Sequence, residues 1–462
     1  MKPIPTRIAV IACTALLAAC SMKPAYQRPD APVPASWPRD AATGGPVAAD
    51  IEWQAFFTDP RLRELVALSL QGNRDLRVAV LSIEQARAQY QIRNADRLPT
   101  VNAQATGSRT PAANDTITSV YTVGLGITAW EIDFFGRIAS LSEAALAQYL
   151  ATEEGRKAAQ IALVSAVANA YLSLVADQEL LEITRQTLVT REDSLRLARL
   201  RFENGVTSEL DLRQAQTLTE GARVTLAQQE RQRMLDENAL ALLIGQPLPA
   251  GFATTAAIDS VNLPDLPAGA PSDLLTRRPD IRQSEQQLIA ANANIGAARA
   301  AFFPRISLTA GIGTASNQLS GLFSSGSWGW TLAPQLVLPI FDSGRNQAGL
   351  ASANAGRDIA VAQYEKAIQT AFREVADALA GRATLGEQLR AQRAVAEAEA
   401  VRTRLSDLRY TNGVASYLDL LDAQRSLFIA RQALVQTRLA QLQNQVLLYK
   451  ALGGGWTERQ GS

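Results

Sequence analysis

The chain has 462 residues, enough for two or three domains, with 45 basic against 44 acidic side chains and no histidine. The balanced charge offers no basic surface for a polyanion, so no nucleic acid is expected as a partner. Without histidine there can be no His-based triad, His general base or His-containing zinc site.

Lys2 and Arg7 make a positive n-region, and Ile8 to Leu17 an apolar stretch too short to span a bilayer. The stretch ends Leu17-Ala18-Ala19-Cys20, which resembles the lipobox of bacterial lipoproteins. Residues 1–19 are therefore read as a lipoprotein signal peptide and Cys20 as the lipidated N-terminus. Cys13 would leave with the signal, so the mature chain could form no disulfide. Ser21 stands where that class carries an aspartate for inner-membrane retention, which favours the outer membrane. Residues 20–72 read as a Pro-rich extended tether followed by a short helix near Pro60 to Leu70. No run of 18 apolar residues follows, so any membrane span would be built from strands.

The first repeat covers residues 73–245. A helical period from Asp75 to about Asp96 ends at Pro99, and the period then changes to two. Val101, Ala103, Ala105 and Gly107 alternate with polar residues. A polar loop is expected over Arg109 to Thr118. Tyr121, Val123, Leu125, Ile127 and Ala129 then share the apolar face of a second strand. From Ala139 to Glu203 the pattern is helical, with Val167, Leu174, Leu181, Leu188, Leu195 and Phe202 at heptad spacing. A second helix runs to about Ile244.

Residues 246–277 are rich in Pro, Gly and Ala and read as an equatorial linker. The second repeat, residues 278–453, restates the first: a helix from Asp280 to Ala301, then a strand with Ile306, Leu308, Ala310 and Ile312 on one face. A Ser/Gly-rich loop follows. The next strand carries Trp328, Trp330, Leu332, Leu336, Leu338 and Ile340 on one face, ahead of a long helix to Tyr410. Leu421, Phe428, Val435, Leu442 and Tyr449 give a last heptad seam, and residues 454–462 form a polar tail.

The bends between the long helices carry the duplication. RFENGVTSELDLRQAQ (201–216) and RYTNGVASYLDLLDAQ (409–424) agree at ten of sixteen positions, 208 residues apart. Asn-Gly ends each first helix, since Gly accepts the left-handed conformation needed there. Ser208 and Ser416 fit as N-caps, with Asp211 and Asp419 at capping-box spacing. Four strands per chain cannot close a barrel, and an open edge is not viable in hydrocarbon. Transmembrane strands would therefore have to be pooled by at least two chains; three would give twelve strands.

The lipobox, the two helix–hairpin–helix repeats, both NGV-x-S-x-LDL bends and the terminal YKALGGGW (Tyr449 to Trp456) resemble the outer membrane factor, or TolC-like, family. The likeness is to lipoprotein outer-membrane channels of tripartite RND multidrug efflux pumps. It implies an α+β membrane protein: a homotrimer forming a twelve-stranded outer-membrane β-barrel, four strands per chain, continued by a long periplasmic α-helical coiled-coil barrel. It further implies contact with outer-membrane lipid, a periplasmic adaptor (membrane fusion protein) and an inner-membrane RND pump. The function expected is passive export, with no catalysis, no cofactor and no metal. The outlet of a type I protein-secretion system and a structural coiled-coil envelope lipoprotein are the alternatives.

Two sets of site residues follow from the resemblance. The bend positions Gly205, Val206, Thr207 and Ser208, with Gly413, Val414, Ala415 and Ser416, match the family's adaptor-contact tips. Asp407 matches an acidic ring that narrows the closed tunnel, and Arg199 holds the equivalent place in the first repeat.

Overall fold

A computed structural model of the protein describes residues 22–38, 48–111, 117–249, 252, 257–269 and 271–456. Cys20 lies outside the described residues. The chain divides into two compact units. One is built from Met1–Ala31, Leu81–Glu154 and Arg282–Lys366, the other from Pro32–Val80, Gly155–Ile281 and Ala367–Ser462. The elements in order are α1 (Pro60–Gly72), α2 (Arg74–Ala95), β1 (Val101–Pro111), β2 (Ile117–Ile132), α3 (Arg137–Glu203), α4 (Glu209–Ile244), α5 (Pro279–Ala300), β3 (Arg305–Ser316), β4 (Trp328–Val337), α6 (Arg345–Thr411) and α7 (Tyr417–Ala451), with single helical turns in the connections.

The first unit holds one antiparallel sheet in the order β1-β2-β3-β4. Its register sorts the side chains. Val101 opposite Ile127, Ala310 opposite Leu332, and Ile312 opposite Trp330 share one apolar face, while Gln104, Thr122, Ser307 and Gln335 take the other. The apolar face is open: Trp330 is 69% exposed and Leu336 62%. β1 extends to Pro111 and β2 starts at Ile117, so residues expected in a loop from Arg109 continue the hairpin ladder. β4 stops at Val337 and leaves Leu338 and Ile340 outside the sheet.

In β2 strict alternation would carry the apolar face through Ala129 to Glu131. A bulge prevents this. Ile127 pairs with Ala310 and the next pair is Trp130 with Leu308, so Thr128 and Ala129 together oppose Thr309. Ala129 takes φ +49°, and its N–H donates to Thr309 Oγ1 at 3.2 Å. Beyond the bulge Trp130 and Ile132 resume the apolar face. Glu131 turns to the other side, where Arg137 at 2.7 Å and Arg305 at 2.6 Å hold its buried carboxylate.

The same unit secures the N-terminal segment, which is docked rather than loose. Arg28 grips Glu285 of α5 through Nε at 2.7 Å and Nη2 at 2.8 Å, and Tyr26 Oη donates to the same carboxylate at 3.0 Å. Lys23 reaches Glu143 of α3 at 2.5 Å, and Asn292 donates to the Pro24 carbonyl oxygen at 2.9 Å. Gly296 gives the room: a Cβ there would stand 3.0 Å from Lys23 Cα.

In the second unit α1 forms where expected, capped by Asp59, which accepts from the Arg61 N–H at 2.8 Å and from Tyr171 Oη at 2.6 Å. Tyr449 stacks on Phe56 with centroids 4.0 Å apart and donates to the Ile51 carbonyl oxygen at 2.6 Å. The heptad residues Val167, Leu174, Leu181, Leu421, Val435 and Leu442 are buried, whereas Phe202, at the α3 terminus, is 39% exposed. One window of α3 is apolar enough to cross a membrane by composition, yet 56% of it is buried within the fold, as in a core helix.

Glu131→Ala would leave Arg137 and Arg305 without the carboxylate that the bulge turns toward them. Breaking such a buried pair costs about 3–5 kcal/mol, so the Glu131→Ala variant should melt well below the parent in detergent. Ala129→Gly, which relieves the left-handed strain of about 1–2 kcal/mol, should melt no lower. A Glu131→Ala variant with the parent's melting temperature would show that the inward-turned carboxylate carries no energetic weight.

Candidate functional site

The two helix bends are built alike. In the first, the Val206 N–H bonds to the Arg201 carbonyl oxygen at 2.8 Å and the Gly205 N–H to that of Phe202 at 2.9 Å; Val414 and Gly413 repeat this with Arg409 and Tyr410 at 2.9 and 3.0 Å. This is the paired closure of a helix on a left-handed residue. Gly205 and Gly413 supply it with φ +71° and +74°. Ser208 and Ser416 then cap α4 and α7, each in a full capping box with Asp211 and Asp419. The first bend is tied more tightly. Thr207 Oγ1 also donates to Asp211 Oδ2 at 2.8 Å, a bond that Ala415 cannot make. The hydroxyls of Ser208 and Thr207 hold the Asp211 carboxyl below the usual carboxylate range.

Val206 is 72% exposed and Val414 68%, with no heavy atom within 4 Å of a Cβ built at either glycine. Leu210 and Leu418, one helical turn further on, are exposed as well. Each bend thus presents a small apolar patch, and the leucines belong to it although turn chemistry alone did not single them out. The signal was their identical recurrence beside the valines.

Behind the bends the two hairpins pack together. Ala198 and Ala215 of the first meet Tyr417, Leu420 and Leu421 of the second in one buried cluster. Arg201 lies over the Tyr410 ring, 4.8 Å from its centroid, and donates to the Tyr410 hydroxyl. Tyr410 in turn leans on Tyr417, with centroids 5.2 Å apart. This link joins α3 to α6.

Asp407 and Arg199 are both exposed. Among the described residues neither forms an ion pair within the chain. The Asp407 main-chain oxygen accepts from Thr411 Oγ1 at 2.8 Å, and its side chain lines a cavity of about 450 Å³ between α3, α6 and α7. Arg199 does not line it. No cluster of potential metal ligands occurs among the described residues.

With a duplicated helical hairpin and a four-stranded sheet described, the family model "Outer membrane efflux protein" matches residues 65–246 and 270–454. The chain belongs to the outer membrane efflux protein family. The antibiotic efflux pump outer membrane protein ArpC of Pseudomonas putida is 50% identical over 458 residues, covering 96% of this chain and 95% of the relative. The toluene efflux pump outer membrane protein TtgC of the same species is 49% identical over 458 residues, with the same coverage. The crystal structure of the open state of the Neisseria gonorrhoeae MtrE outer membrane channel matches with TM-score 0.87 and 40% identity, covering 94% of this chain and 98% of that one. As an outer membrane efflux protein this chain is an outer-membrane channel, a component of an efflux pump and not an enzyme. Four strands, long helices and an internal duplication are present as the sequence led us to expect.

Tyr410→Phe keeps the ring contact with Arg201 and removes the hydroxyl acceptor, a loss of about 1 kcal/mol. That is roughly fivefold in a local opening equilibrium. Amide exchange over Asn204–Asp211 should quicken by that factor, and more in Arg201→Met. Unaltered exchange in both variants would show that the link does not hold the bends.

Proposed function

We propose that three copies of this chain close into one twelve-stranded outer-membrane β-barrel continued by a coiled-coil helical tunnel in the periplasm, and that the trimer is the passive exit duct of a tripartite efflux system. The sheet is the observation that carries this reading. It has one exposed apolar face, fit for outer-membrane lipid, and β1 and β4 are edges within the single chain. Edges of that kind need pairing partners in hydrocarbon, and a ring of identical copies supplies them. The cargo proposed is drugs or other small toxic compounds, in keeping with relatives named for antibiotic and toluene efflux. An inner-membrane RND pump supplies the energy and a periplasmic adaptor opens the duct. Cys20 is the acylated N-terminus; a mature protein whose intact mass starts elsewhere, or lacks acyl chains, would remove it.

The adaptor contact is assigned to Gly205, Val206, Thr207 and Ser208 and to Gly413, Val414, Ala415 and Ser416. Their support is the exposed valines, which helix capping does not require. The gate is assigned to a ring of three Asp407 carboxylates, each facing Arg199 of a neighbouring copy, since within one chain the two stay apart. Such partly solvated pairs are worth about 0–1 kcal/mol each.

Planar-bilayer recording tests both levels. A trimeric duct conducts, and a coiled-coil stalk would not. Wild-type pores should be small and cation-selective. Asp407→Ala should raise the conductance, reduce the selectivity and admit large antibiotics to cells. Conductance and selectivity equal to wild type would return Asp407 to an ordinary solvated charge.

A further inference from the structure

One groove in the second unit is built around a cation without a counter-ion. Arg191 of α3 is only 6% exposed. Its guanidinium lies 5.1 Å from the Phe428 ring centroid, and Nη1 donates to the Leu218 carbonyl oxygen at 2.9 Å. Nε is buried with no hydrogen-bond partner. Among the described residues no carboxylate pairs with Arg191, and burial pushes its pKa down. A ring face and one carbonyl do not offset the desolvation of a full charge.

The side chain lines the cavity of about 450 Å³ between α3, α6 and α7, and two more arginines line it with Arg191. These are Arg404 of α6, exposed, and Arg431 of α7, half-buried. Neither forms an ion pair among the described residues. Asp407 is the sole carboxylate of the lining, so three guanidiniums face one anion. Gln424 adds a carboxamide whose buried Oε1 has no partner and which can turn to present its N–H₂ group instead. A planar fork of N–H donors is the usual device for holding a carboxylate or a tetrahedral oxyanion. The flanking arginines raise the local potential for such a group.

We propose that this groove is an oxyanion-binding site, in which a carboxylate or tetrahedral oxyanion enters between α3, α6 and α7 and pairs with Arg191, Arg404 and Arg431. The groove shares Asp407 with the proposed gate, but its ligand meets cations that the gate does not use. A bound oxyanion would tie the first hairpin, through Arg191, to the second, through Arg404 and Arg431. It would do so on the side away from the Arg201–Tyr410 link in sequence, 10 residues earlier on α3.

The test is calorimetric titration of the full-length, detergent-solubilised protein with selenate, at constant ionic strength set by chloride so that screening does not vary. Wild type should bind selenate saturably, one per chain. Arg191→Met should weaken binding about tenfold to a hundredfold, the range for losing a hydrogen bond to a charged group. Arg404→Gln, at an exposed position and safe for folding, should weaken it in the same direction. Arg223→Gln should not, because Arg223 lies outside the groove and is engaged by Glu192 and Glu220. Competition with acetate separates the sources: stronger displacement by acetate assigns the site to an acidic side chain, stronger selenate binding to a free tetrahedral anion. Absence of saturable selenate binding in wild type, or equal affinity in all variants, would overturn the proposal.

Discussion

Backbone hydrogen bonding in an apolar medium is the constraint on which this molecule turns. A sheet whose outer face is Trp328, Trp330, Leu332, Leu125 and Ile312 belongs against hydrocarbon, and hydrocarbon offers nothing to an unpaired N–H or C=O. The single chain satisfies the interior of its sheet and leaves β1 and β4 each with one open row. Side-chain chemistry cannot cure that deficit. The bulge at Ala129 shows how strictly the face is kept: the strand accepts a strained residue so that Glu131 meets two arginines instead of lipid.

The helices answer a different requirement. α3 and α6 are each 67 residues long, roughly 100 Å at 1.5 Å per residue, and helices of that length need lateral burial throughout. Heptad apolar residues supply it deep in the second unit. Toward the bends the burial thins, and polar contacts take over: the Arg201–Tyr410 link, the capping boxes and the cationic groove around Arg191. A region held by a few directional contacts can exchange between arrangements more readily than one held by a packed core. The gate proposed above would sit in such a region.

Much of this was legible in the residues. Period-two alternation located the strands and assigned their faces, heptads located the long helices, and the Asn-Gly/Ser/Asp pattern gave both bends with their capping boxes. What was illegible has a common cause, since it depends on which distant residues meet. Alternation ran straight through Thr128 and Ala129 because a bulge has no signature there without the partner strand. No local pattern set Arg191 or Arg201 apart from the other arginines of the helices; their contacts with the Phe428 and Tyr410 rings depend on how the hairpins pack. Asp407 was singled out by resemblance alone, and among the described residues its carboxylate forms no ion pair within the chain. The Pro-rich start read as a leash for want of any local sign that Glu285 and Gly296 would receive it.

That docked start has a mechanical consequence. The segment is gripped from Met22 onward, where the Arg299 guanidinium reaches the Met22 carbonyl oxygen. Met22 stands just two positions after Cys20, at most about 7 Å of extended chain. If Cys20 carries the acyl group proposed above, that group is tethered within this reach of Met22, beside the α3–α5 face. Such a peg, added to the barrel proposed above, would resist rotation about the membrane normal as well as extraction when a partner pulls on the helices.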